Sequence, residues 1–288
     1  MAIRKPLYVF LHLPKSAGTT LKKNLANSYT KEERLPVINN WDSTVEEREE
    51  RHEFFRTMPQ EQKDKLKFLF GMSVWYGLRD CFPNRDVRFI TVMREPFERA
   101  ISHYRFNVMR NGQKRPMIVV WSDDIEDEMI GKNGDIIGFD DWLKKVIEYP
   151  NYIHRYLERL GFTSPEQFYF IGLVENSKND FAYLYHLFGT RRFFADMNIT
   201  DKKIQVVLTD EHKSLFYRNN VLDVSWYDQC KSKNEYFYGE NSKVFRYIRR
   251  VLFRKRIRLF SRRILLWLIA TFPFLTNVLR KTKWKNSD

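Results

Sequence analysis

The chain has 288 residues, 43% of them hydrophobic and 16% aromatic, so it can bury a full core and a disordered protein is excluded. The net charge of +14 would indicate nucleic acid as a partner if it were spread evenly, but residues 243–288 carry +13 of it and leave +1 for residues 1–242. Cys81 and Cys230 lie far apart without metal or redox spacing, which argues against a zinc site or a disulfide framework.

The chain begins with a predicted strand followed by a helix. Residues Met1 to Pro6 hold no apolar stretch typical of a signal peptide or an anchor, so we expect a cytoplasmic protein. Leu7 to Leu13 is a short apolar run that predicts a buried strand. Thr19 to Tyr29 has helical spacing, with Leu21 and Leu25 on one face.

Two further helices and a second strand follow. Ser43 and Glu46 have the spacing of a capping box, which predicts a charged helix from about Thr44 to Arg56. Val87 to Met93 predicts a second buried strand, and Phe97 to Met109 the helix after it, opened by the preceding proline.

The last strand predicted is Phe168 to Val174, followed by a helical pattern through Leu184 and Leu187. Strands that alternate with helices predict an α/β fold, a parallel sheet flanked by helices. The stretch from Asn111 to Gly138 is rich in Gly and acids, and we expect an irregular insertion where a substrate is met. We expect one domain over residues 1–242 and a basic, apolar helical tail over residues 243–288.

The segment HLPKSAGTTL, His12 to Leu21, lies between a strand end and a helix start. The first turn of a helix presents N–H groups without intrahelical partners and a partial positive charge, which favours anions. Gly18 lets the backbone approach an anion closely, and Lys15 adds a full charge. The other loop residues are small or carry hydroxyls: Ser16, Ala17, Thr19 and Thr20. A Ser/Thr-rich helix cap is the alternative, and the spacing is not that of a nucleoside triphosphate loop.

A second segment, ITVMREPFERAISHYRF, repeats the step from strand to helix. Arg94 stands at the strand end, where open α/β folds bind ligands, and its planar guanidinium suits a phosphate. Ser102, eight residues later, lies about two turns along the helix and can donate to the same oxygens. In the alternative interpretation Arg94 only pairs with Glu95 or Glu98.

Together these two segments resemble the 5′- and 3′-phosphate motifs of carbohydrate sulfotransferases related to the heparan sulfate 2-O- and 6-O-sulfotransferases and their bacterial relatives. The resemblance extends more weakly to FLFGMSVWYGL, IGLVENSKNDFAYLYHLFG and NNVLDVSWYD, so it covers most of residues 7–230. It implies a P-loop-like α/β fold that binds 3′-phosphoadenosine 5′-phosphosulfate. Lys15 to Thr20 would hold the 5′-phosphosulfate, and Arg94 and Ser102 the 3′-phosphate.

Sulfuryl transfer needs an in-line nucleophile and a stabilised leaving group, so position and charge supply most of the catalysis. A cation beside the bridging oxygen is the most useful group, and we expect Lys15 to serve there. No metal cluster is visible in the sequence, and we expect no metal requirement.

The sequence departs from the resembled family at the general base. The family has a His after a Gly, in a segment written roughly Gly-His followed by Gly-Leu-His, whereas here Met72 follows Gly71 and Arg79 follows Leu78. Three interpretations stay open: another base serves, the acceptor needs none, or activity is lost. The replacement candidates are His12, His52, Glu53, Asp42 and Glu175. Among these, His12 borders the loop Lys15 to Thr20, which we call the cradle, and Glu175 follows a strand at the ligand-binding edge.

The tail combines basic and apolar residues. Ten Lys/Arg between Lys243 and Arg263 alternate with apolar residues on one helical face. Ile264 to Leu279 is a run of 16 uncharged residues with Pro273 inside, too short to span a bilayer. Polybasic flanks favour a segment on an anionic membrane surface, through residues 243–285. Packing on the body is the alternative, and nucleic-acid binding is disfavoured because the body is nearly neutral.

These observations predict a sulfotransferase that acts on a hydroxyl of a glycan or glycolipid, peripheral on the cytoplasmic face of a membrane. A second hypothesis, motivated by the missing Gly-His, is an inactive nucleotide-binding module associated with the membrane. A third, a nucleotide phosphotransferase, is disfavoured because the Gly-Lys-Ser/Thr arrangement is absent.

Overall fold

The computed structural model describes residues 6–40, 42–112, 137–190 and 206–246. The chain divides into two units, Met1–Glu240 and Asn241–Asp288. Of the second unit the structure describes residues 241–246, and residues 242–246 are helical. Most of the predicted insertion between Asn111 and Gly138 lies outside the described residues, as do the amphipathic and apolar parts of the tail from residue 247 onward.

The first unit contains a sheet of five parallel strands, in the spatial order β2-β3-β1-β4-β5. The strands are β1 Leu7–Leu11, β2 Arg34–Pro36, β3 Phe68–Gly71, β4 Val87–Met93 and β5 Phe170–Leu173. Because parallel neighbours need crossover connections, helices must separate the strands along the chain. The parallel sheet flanked by helices confirms the predicted α/β class.

Nine α-helices accompany this sheet in the described part of the first unit. They are α1 Gly18–Ala26, α2 Val45–Thr57, α3 Gln60–Lys65, α4 Pro96–Gly112, α5 Phe139–Glu148, α6 Tyr152–Arg159, α7 Ser177–Leu187, α8 Asp210–Asn219 and α9 Val221–Glu240. Short 3₁₀ turns lie at Tyr76–Cys81 and Pro165–Gln167. Within the described ranges no helix is at once long and apolar enough to cross a membrane.

Both faces of the sheet are buried, as expected for a parallel sheet. Alternate residues of β1 point to opposite faces, so Val9 and Leu11 join the large aliphatic and aromatic core of the molecule. Tyr8 and Phe10 point the other way. On that second face the rings of Tyr8 and Phe68 pack on Phe188, which follows α7. Burial on both faces therefore fixes the register of the central strands.

The structure corrects the sequence predictions in two places. The capping box of α2 is formed by Thr44 and Glu47, one residue later than predicted, because Ser43 is buried and its carbonyl accepts from the Arg48 guanidinium at 2.7 Å. Strands β2 and β3 were not predicted. They have three and four residues, too few for a periodic pattern of apolar and polar residues to be recognised in the sequence.

Candidate functional site

The two predicted phosphate segments follow the neighbouring strands β1 and β4, at the carboxyl end of the sheet. The connection after β1 leads toward β2 and β3, whereas the connection after β4 leads toward β5 on the other side. The strand order therefore reverses between β1 and β4, and open α/β sheets bind ligands at such a point, outside the carboxyl ends of the strands. Leu11 pairs with Thr91 in register, so both segments start about 5 Å apart.

The turn after β1 has an uncommon backbone. Lys15 and Ala17 both have positive φ, 64° and 56°, in the left-handed region that non-glycine residues seldom adopt. Each such residue costs on the order of 1 kcal/mol or more, and such strain clusters at ligand sites. Left-handed residues followed by right-handed ones turn successive backbone N–H groups to one side, which creates a concavity suited to an anion.

Helix α1 begins at Gly18 directly after this turn. Its N-cap is Ala17, no side chain caps the helix, and the first turn holds no acidic residue. The alternative of a simple Ser/Thr-rich helix cap is therefore not what forms here. Ser16 and Thr20 are buried, while Lys15 and Thr19 are half-buried beside the turn. The positive end of α1 and its hydroxyls are grouped around one concave turn.

His12 packs directly against Gly18. A Cβ atom built on Gly18 would lie 1.9 Å from His12 Cδ2, so only glycine fits at this position. Burial, which disfavours the imidazolium, together with the charges of Lys22 and Lys15, lowers the pKa of His12 to about 3. The ring is therefore neutral at neutral pH. Its Nδ1 atom is buried without a hydrogen-bond partner among the described residues.

The second segment places Arg94 at the end of β4 and Ser102 on α4. Arg94 Nη2 lies 3.4 Å from Glu98 Oε2, so one of the two pairings considered from the sequence does form. Glu98 is half exposed, and exposed pairs of this kind contribute little to stability. Ser102 is 8% exposed and faces the interior about two turns along α4.

Lys15 connects the two segments. Its Nζ atom lies 3.6 Å from the centroid of the Phe106 ring on α4. Phe106 follows Ser102 by four residues, so the two side chains share one face of the helix. A cation over an aromatic ring is attracted to it, which holds the lysine against α4. The turn after β1 and the Ser102 face of α4 therefore lie together, as one nucleotide site requires.

Two carboxylates organise the corner beside Arg94. Glu95 caps α4: its carboxylate accepts from the backbone N–H groups of Phe97 and Glu98 at 3.0 and 2.8 Å. The Glu95 carboxylate also accepts from the Tyr217 hydroxyl at 2.9 Å. Glu175, directly after β5 and Val174, accepts from the Glu95 backbone N–H at 2.9 Å and from the Tyr227 hydroxyl at 3.0 Å. Both carboxylate oxygens of Glu175 therefore accept hydrogen bonds from neighbouring residues of the protein.

The remaining candidates for a general base make their described contacts with other residues. The His52 ring stacks on Trp75, with centroids 5.9 Å apart, and Glu53 pairs with Arg56 at 2.7 Å. Asp42 is exposed. Met72, where the resembled family has His, follows β3, and its backbone N–H donates to the Ile38 carbonyl at 2.8 Å. Among the described residues no group of three His, Cys, Asp or Glu could hold a metal ion.

Sequence reasoning missed Phe106, Glu95, Tyr217 and Tyr227 as parts of the site. Phe106, Tyr217 and Tyr227 act through contacts with residues distant in the chain, and no local motif marks such contacts. Glu95 was noted only as a partner for Arg94, although its position one residue before Pro96 and its acid side chain are typical of a helix N-terminus.

Three comparisons relate the chain to known proteins. A search of curated proteins found no match. Among solved structures, the crystal structure of mouse sulfotransferase SULT7A1 complexed with PAP matches at 14% identity and a TM-score of 0.34, over 85% of this chain and 88% of that one. The family model described as "Sulfotransferase family" matches residues 4–220, about three quarters of the chain. The chain therefore belongs to the sulfotransferase family.

Proposed function

We propose that the protein transfers a sulfuryl group from 3′-phosphoadenosine 5′-phosphosulfate to a hydroxyl of a glycan or glycolipid, as the carbohydrate sulfotransferases related to the heparan sulfate enzymes do. One observation carries the proposal: the strained turn at Lys15 and the Ser102 face of α4 meet at the switch point of a parallel sheet. A donor with phosphate groups at both ends needs two such anion sites close together.

The donor would lie across the carboxyl ends of β1 and β4. The backbone N–H groups of the turn and of the first turn of α1 would hold the 5′-phosphosulfate, with hydroxyls from Ser16, Thr19 and Thr20. Arg94 and Ser102 would hold the 3′-phosphate. The Arg94–Glu98 pair is weak and partly exposed, so a phosphate could replace Glu98 at little cost.

Lys15 would stabilise the leaving group. As the sulfuryl group departs, negative charge develops on the bridging oxygen of the nucleotide phosphate, and a nearby cation lowers the barrier most. Phe106 holds the ammonium from one side without neutralising it, since a ring offers no full charge. The ring contact therefore restricts the position of the lysine.

Three alternatives for the general base belong to this proposal. His12 borders the cradle, but a group whose pKa is about 3 is a weak base at neutral pH, which favours a neutral hydrogen-bonding role. Glu175 carries a carboxylate at the end of the sheet where the donor would bind. Both of its carboxylate oxygens, however, already accept hydrogen bonds, from the Glu95 backbone N–H and from the Tyr227 hydroxyl. An acceptor that reacts without a strong base is the third possibility.

Donor binding tests the proposal. Calorimetry with adenosine 3′,5′-bisphosphate should give a 1:1 isotherm, and Lys15→Ala and Arg94→Ala should each weaken binding by roughly tenfold to a hundredfold, since each removes a charged hydrogen bond worth about 1.5–3 kcal/mol. Lys144→Ala is the matched control, because Lys144 is exposed on α5 and, among the described residues, forms its ion pair with the surface residue Asp141. Absence of binding by the unmodified protein would end the proposal.

A second candidate is a nucleotide-binding module without turnover, favoured by Met72, which cannot accept a proton at neutral pH. It predicts normal donor binding without transfer. Expression in cells with labelled sulfate separates the two functions: label in any glycan or glycolipid excludes the inactive module, and its absence despite tight donor binding supports it.

We also propose that the protein is cytoplasmic and attaches to anionic membranes through residues 243–285. The charge of the tail and its apolar run support this proposal. A glycolipid acceptor would then be met at the same membrane surface.

A further inference from the structure

The two helices that follow the phosphate segments begin differently. Helix α1 has no side-chain cap and no acidic residue in its first turn. At the start of α4, by contrast, the Glu95 carboxylate accepts from two backbone N–H groups, and Glu98 stands in the first turn. Carboxylates are stabilised at a helix N-terminus by its N–H groups and its partial positive charge. The first turn of α1 is therefore left to an external anion, whereas that of α4 already holds anions of the protein.

The two carboxylates at the start of α4 are held with very different strength. Glu95 accepts from two backbone N–H groups at 3.0 and 2.8 Å and from the Tyr217 hydroxyl at 2.9 Å. The Glu98 carboxylate has one hydrogen-bond partner among the described residues, Arg94 Nη2 at 3.4 Å, and the Glu98 side chain is 51% exposed. A single long bond in contact with water contributes little to stability. Glu98 can therefore leave Arg94, whereas Glu95 is fixed in place.

Glu98 lies between the two residues proposed for the 3′-phosphate. It follows Arg94 by four residues and precedes Ser102 by four. Residues four apart on a helix share one face, so Glu98 and Ser102 are neighbours on α4. Arg94, which stands just before the helix, reaches the same carboxylate. A 3′-phosphate bound by Arg94 and Ser102 would therefore arrive beside the Glu98 carboxylate.

Further negative charge surrounds this corner. Burial, the hydrogen bond to Glu95 and the charges of nearby carboxylates together raise the pKa of the Tyr217 hydroxyl. These carboxylates include Glu95, Glu98 and Asp228. Like charges that approach within a few ångströms repel one another strongly where water is partly excluded. A phosphate that enters the corner is therefore attracted by Arg94 and repelled by the carboxylates around it.

The Arg94 guanidinium is the group for which the two anions compete. A phosphate accepts two parallel hydrogen bonds from the planar guanidinium, and such a contact is stronger than the long bond to Glu98. With a phosphate bound there, the Glu98 carboxylate would face a like charge, and its half-exposed side chain has room to turn into water. Nucleotide binding therefore includes the cost of breaking the Arg94–Glu98 pair, and nucleotide release restores the pair.

We propose that Glu98 is an internal competitor of the 3′-phosphate: its carboxylate holds Arg94 in the free protein, gives way to the nucleotide and returns to Arg94 as the nucleotide leaves. The inference rests on the proposed function and adds a residue that sets how tightly the nucleotide is held. The product of transfer, adenosine 3′,5′-bisphosphate, keeps the 3′-phosphate of the donor. Because product release limits the turnover of many enzymes, a competitor at this place shortens the time for which the product blocks the site.

Glu98→Gln tests the proposal, because it removes the charge of the competitor and keeps the length of the side chain. Calorimetry compares adenosine 3′,5′-bisphosphate with adenosine 5′-monophosphate, which lacks only the 3′-phosphate. We expect the Kd of the bisphosphate to fall by about threefold to tenfold, since an exposed ion pair and the repulsion of one charge are lost. The Kd of the monophosphate should change by less than about twofold, since this nucleotide brings no group that displaces Glu98.

The same variant tests the role of Glu98 in release. Dissociation of labelled adenosine 3′,5′-bisphosphate is followed after addition of excess unlabelled nucleotide. The dissociation rate should fall in Glu98→Gln by the same factor as the Kd, because closely related complexes differ mostly in this rate. A lower Kd with an unchanged dissociation rate would show that Glu98 hinders only entry, which contradicts the proposed return to Arg94.

Glu61→Gln is the matched control, because Glu61 also forms an exposed ion pair across four residues of the chain, with Lys65, and its loss changes the net charge equally. This variant should bind both nucleotides as the unmodified protein does. An unchanged or higher Kd of the bisphosphate in Glu98→Gln, an equal gain for the monophosphate, or an equal gain in Glu61→Gln overturns the inference alone. Absence of nucleotide binding by the unmodified protein would instead overturn the proposed function.

Discussion

At the scale of single residues, His12 and Gly18 show how tightly the cradle is assembled. The absence of a side chain at Gly18 leaves the space that the His12 ring occupies. The ring in turn is buried and neutral, so it packs beneath a cationic turn without adding a further charge. A protonated ring in this place would meet the repulsion of Lys15 and Lys22, and the turn would be less stable.

The low pKa of His12 predicts that acid destabilises the protein. In the unfolded chain this imidazole binds a proton below about pH 6.5, whereas in the folded chain it does so only near pH 3. The unfolded state therefore binds more protons in this window, and the free energy of unfolding falls as the pH drops from about 6.5 toward 3. The total amounts to a few kcal/mol, since one pKa unit corresponds to about 1.4 kcal/mol.

His12→Gln should lose this part of the acid sensitivity, measured by urea unfolding at about pH 7 and about pH 4. His186→Gln is the control, because His186 is exposed on α7 and should leave the wild-type pH dependence unchanged. If His12→Gln and the wild type lose the same stability on acidification, His12 is not buried as a neutral ring.

At the scale of secondary-structure elements, the corner beside Arg94 is held by α8 and α9 as well as by the sheet. Tyr217 from α8 bonds to Glu95, and Tyr227 from α9 bonds to Glu175. These bonds reach across the molecule to the residues that follow β4 and β5. Helices late in the chain therefore support the corner of Arg94, which belongs to the first half of the chain.

Glu175→Gln separates a positioning role from a role as general base. If Glu175 positions Arg94, the Kd for adenosine 3′,5′-bisphosphate should rise by roughly fivefold, because one hydrogen bond worth about 1 kcal/mol is lost. Tyr227→Phe should have a similar effect, since it removes the other partner. If Glu175 is instead the base, the Kd should be unchanged, and transfer of labelled sulfuryl groups from the donor to glycans or glycolipids should slow by about 10²-fold or more.

Tyr236→Phe serves as the control for these two variants. Tyr236 also lies on α9, but its side chain is 70% exposed. Among the described residues it forms no hydrogen bond with the carboxylate of Glu95 or of Glu175. It should bind the nucleotide as the unmodified protein does. If Tyr236→Phe weakens nucleotide binding as much as Tyr227→Phe does, any change on α9 has this effect. The result for Tyr227→Phe would then be no evidence that Glu175 positions Arg94.

The sequence predicted the elements with strong local signals and missed those that depend on distant contacts. β4 was predicted with its observed bounds because seven β-rich residues stand between polar neighbours. Lys15 and Arg94 were proposed from their positions after strand ends, and Ser102 from its position on the helix that follows Arg94. The three-residue β2 has no such signal. The contacts of Phe106 and Glu175 join residues about 90 and 80 positions apart, and no local pattern encodes them.

At the scale of the whole molecule, charge is divided between a nearly neutral body and a strongly basic tail. If the tail attaches to membranes, the chain should sediment with vesicles that contain phosphatidylserine and much less with pure phosphatidylcholine. Replacing Arg280, Lys281, Lys283 and Lys285 by Gln should weaken this binding strongly, since each charge contributes on the order of 1 kcal/mol near an anionic surface.

Replacing Lys22 and Lys31 of the body by Gln is the control for this sedimentation experiment, because it removes positive charge outside the tail. Binding to phosphatidylserine vesicles should persist in that variant. If both variants lose binding equally, attachment depends on total charge and not on the tail. If the unmodified chain stays in solution with either lipid, the proposed attachment is wrong.

The edge strand β2 also bears on how the protein behaves in crowded solution. An open sheet edge offers unpaired backbone groups to which another chain can add a strand, which is a common start of aggregation. Here that edge is three residues long, starts with the charged Arg34 and ends with Pro36, which has no N–H to donate. An incoming strand finds little backbone to pair with, so β2 protects the sheet from growing between molecules.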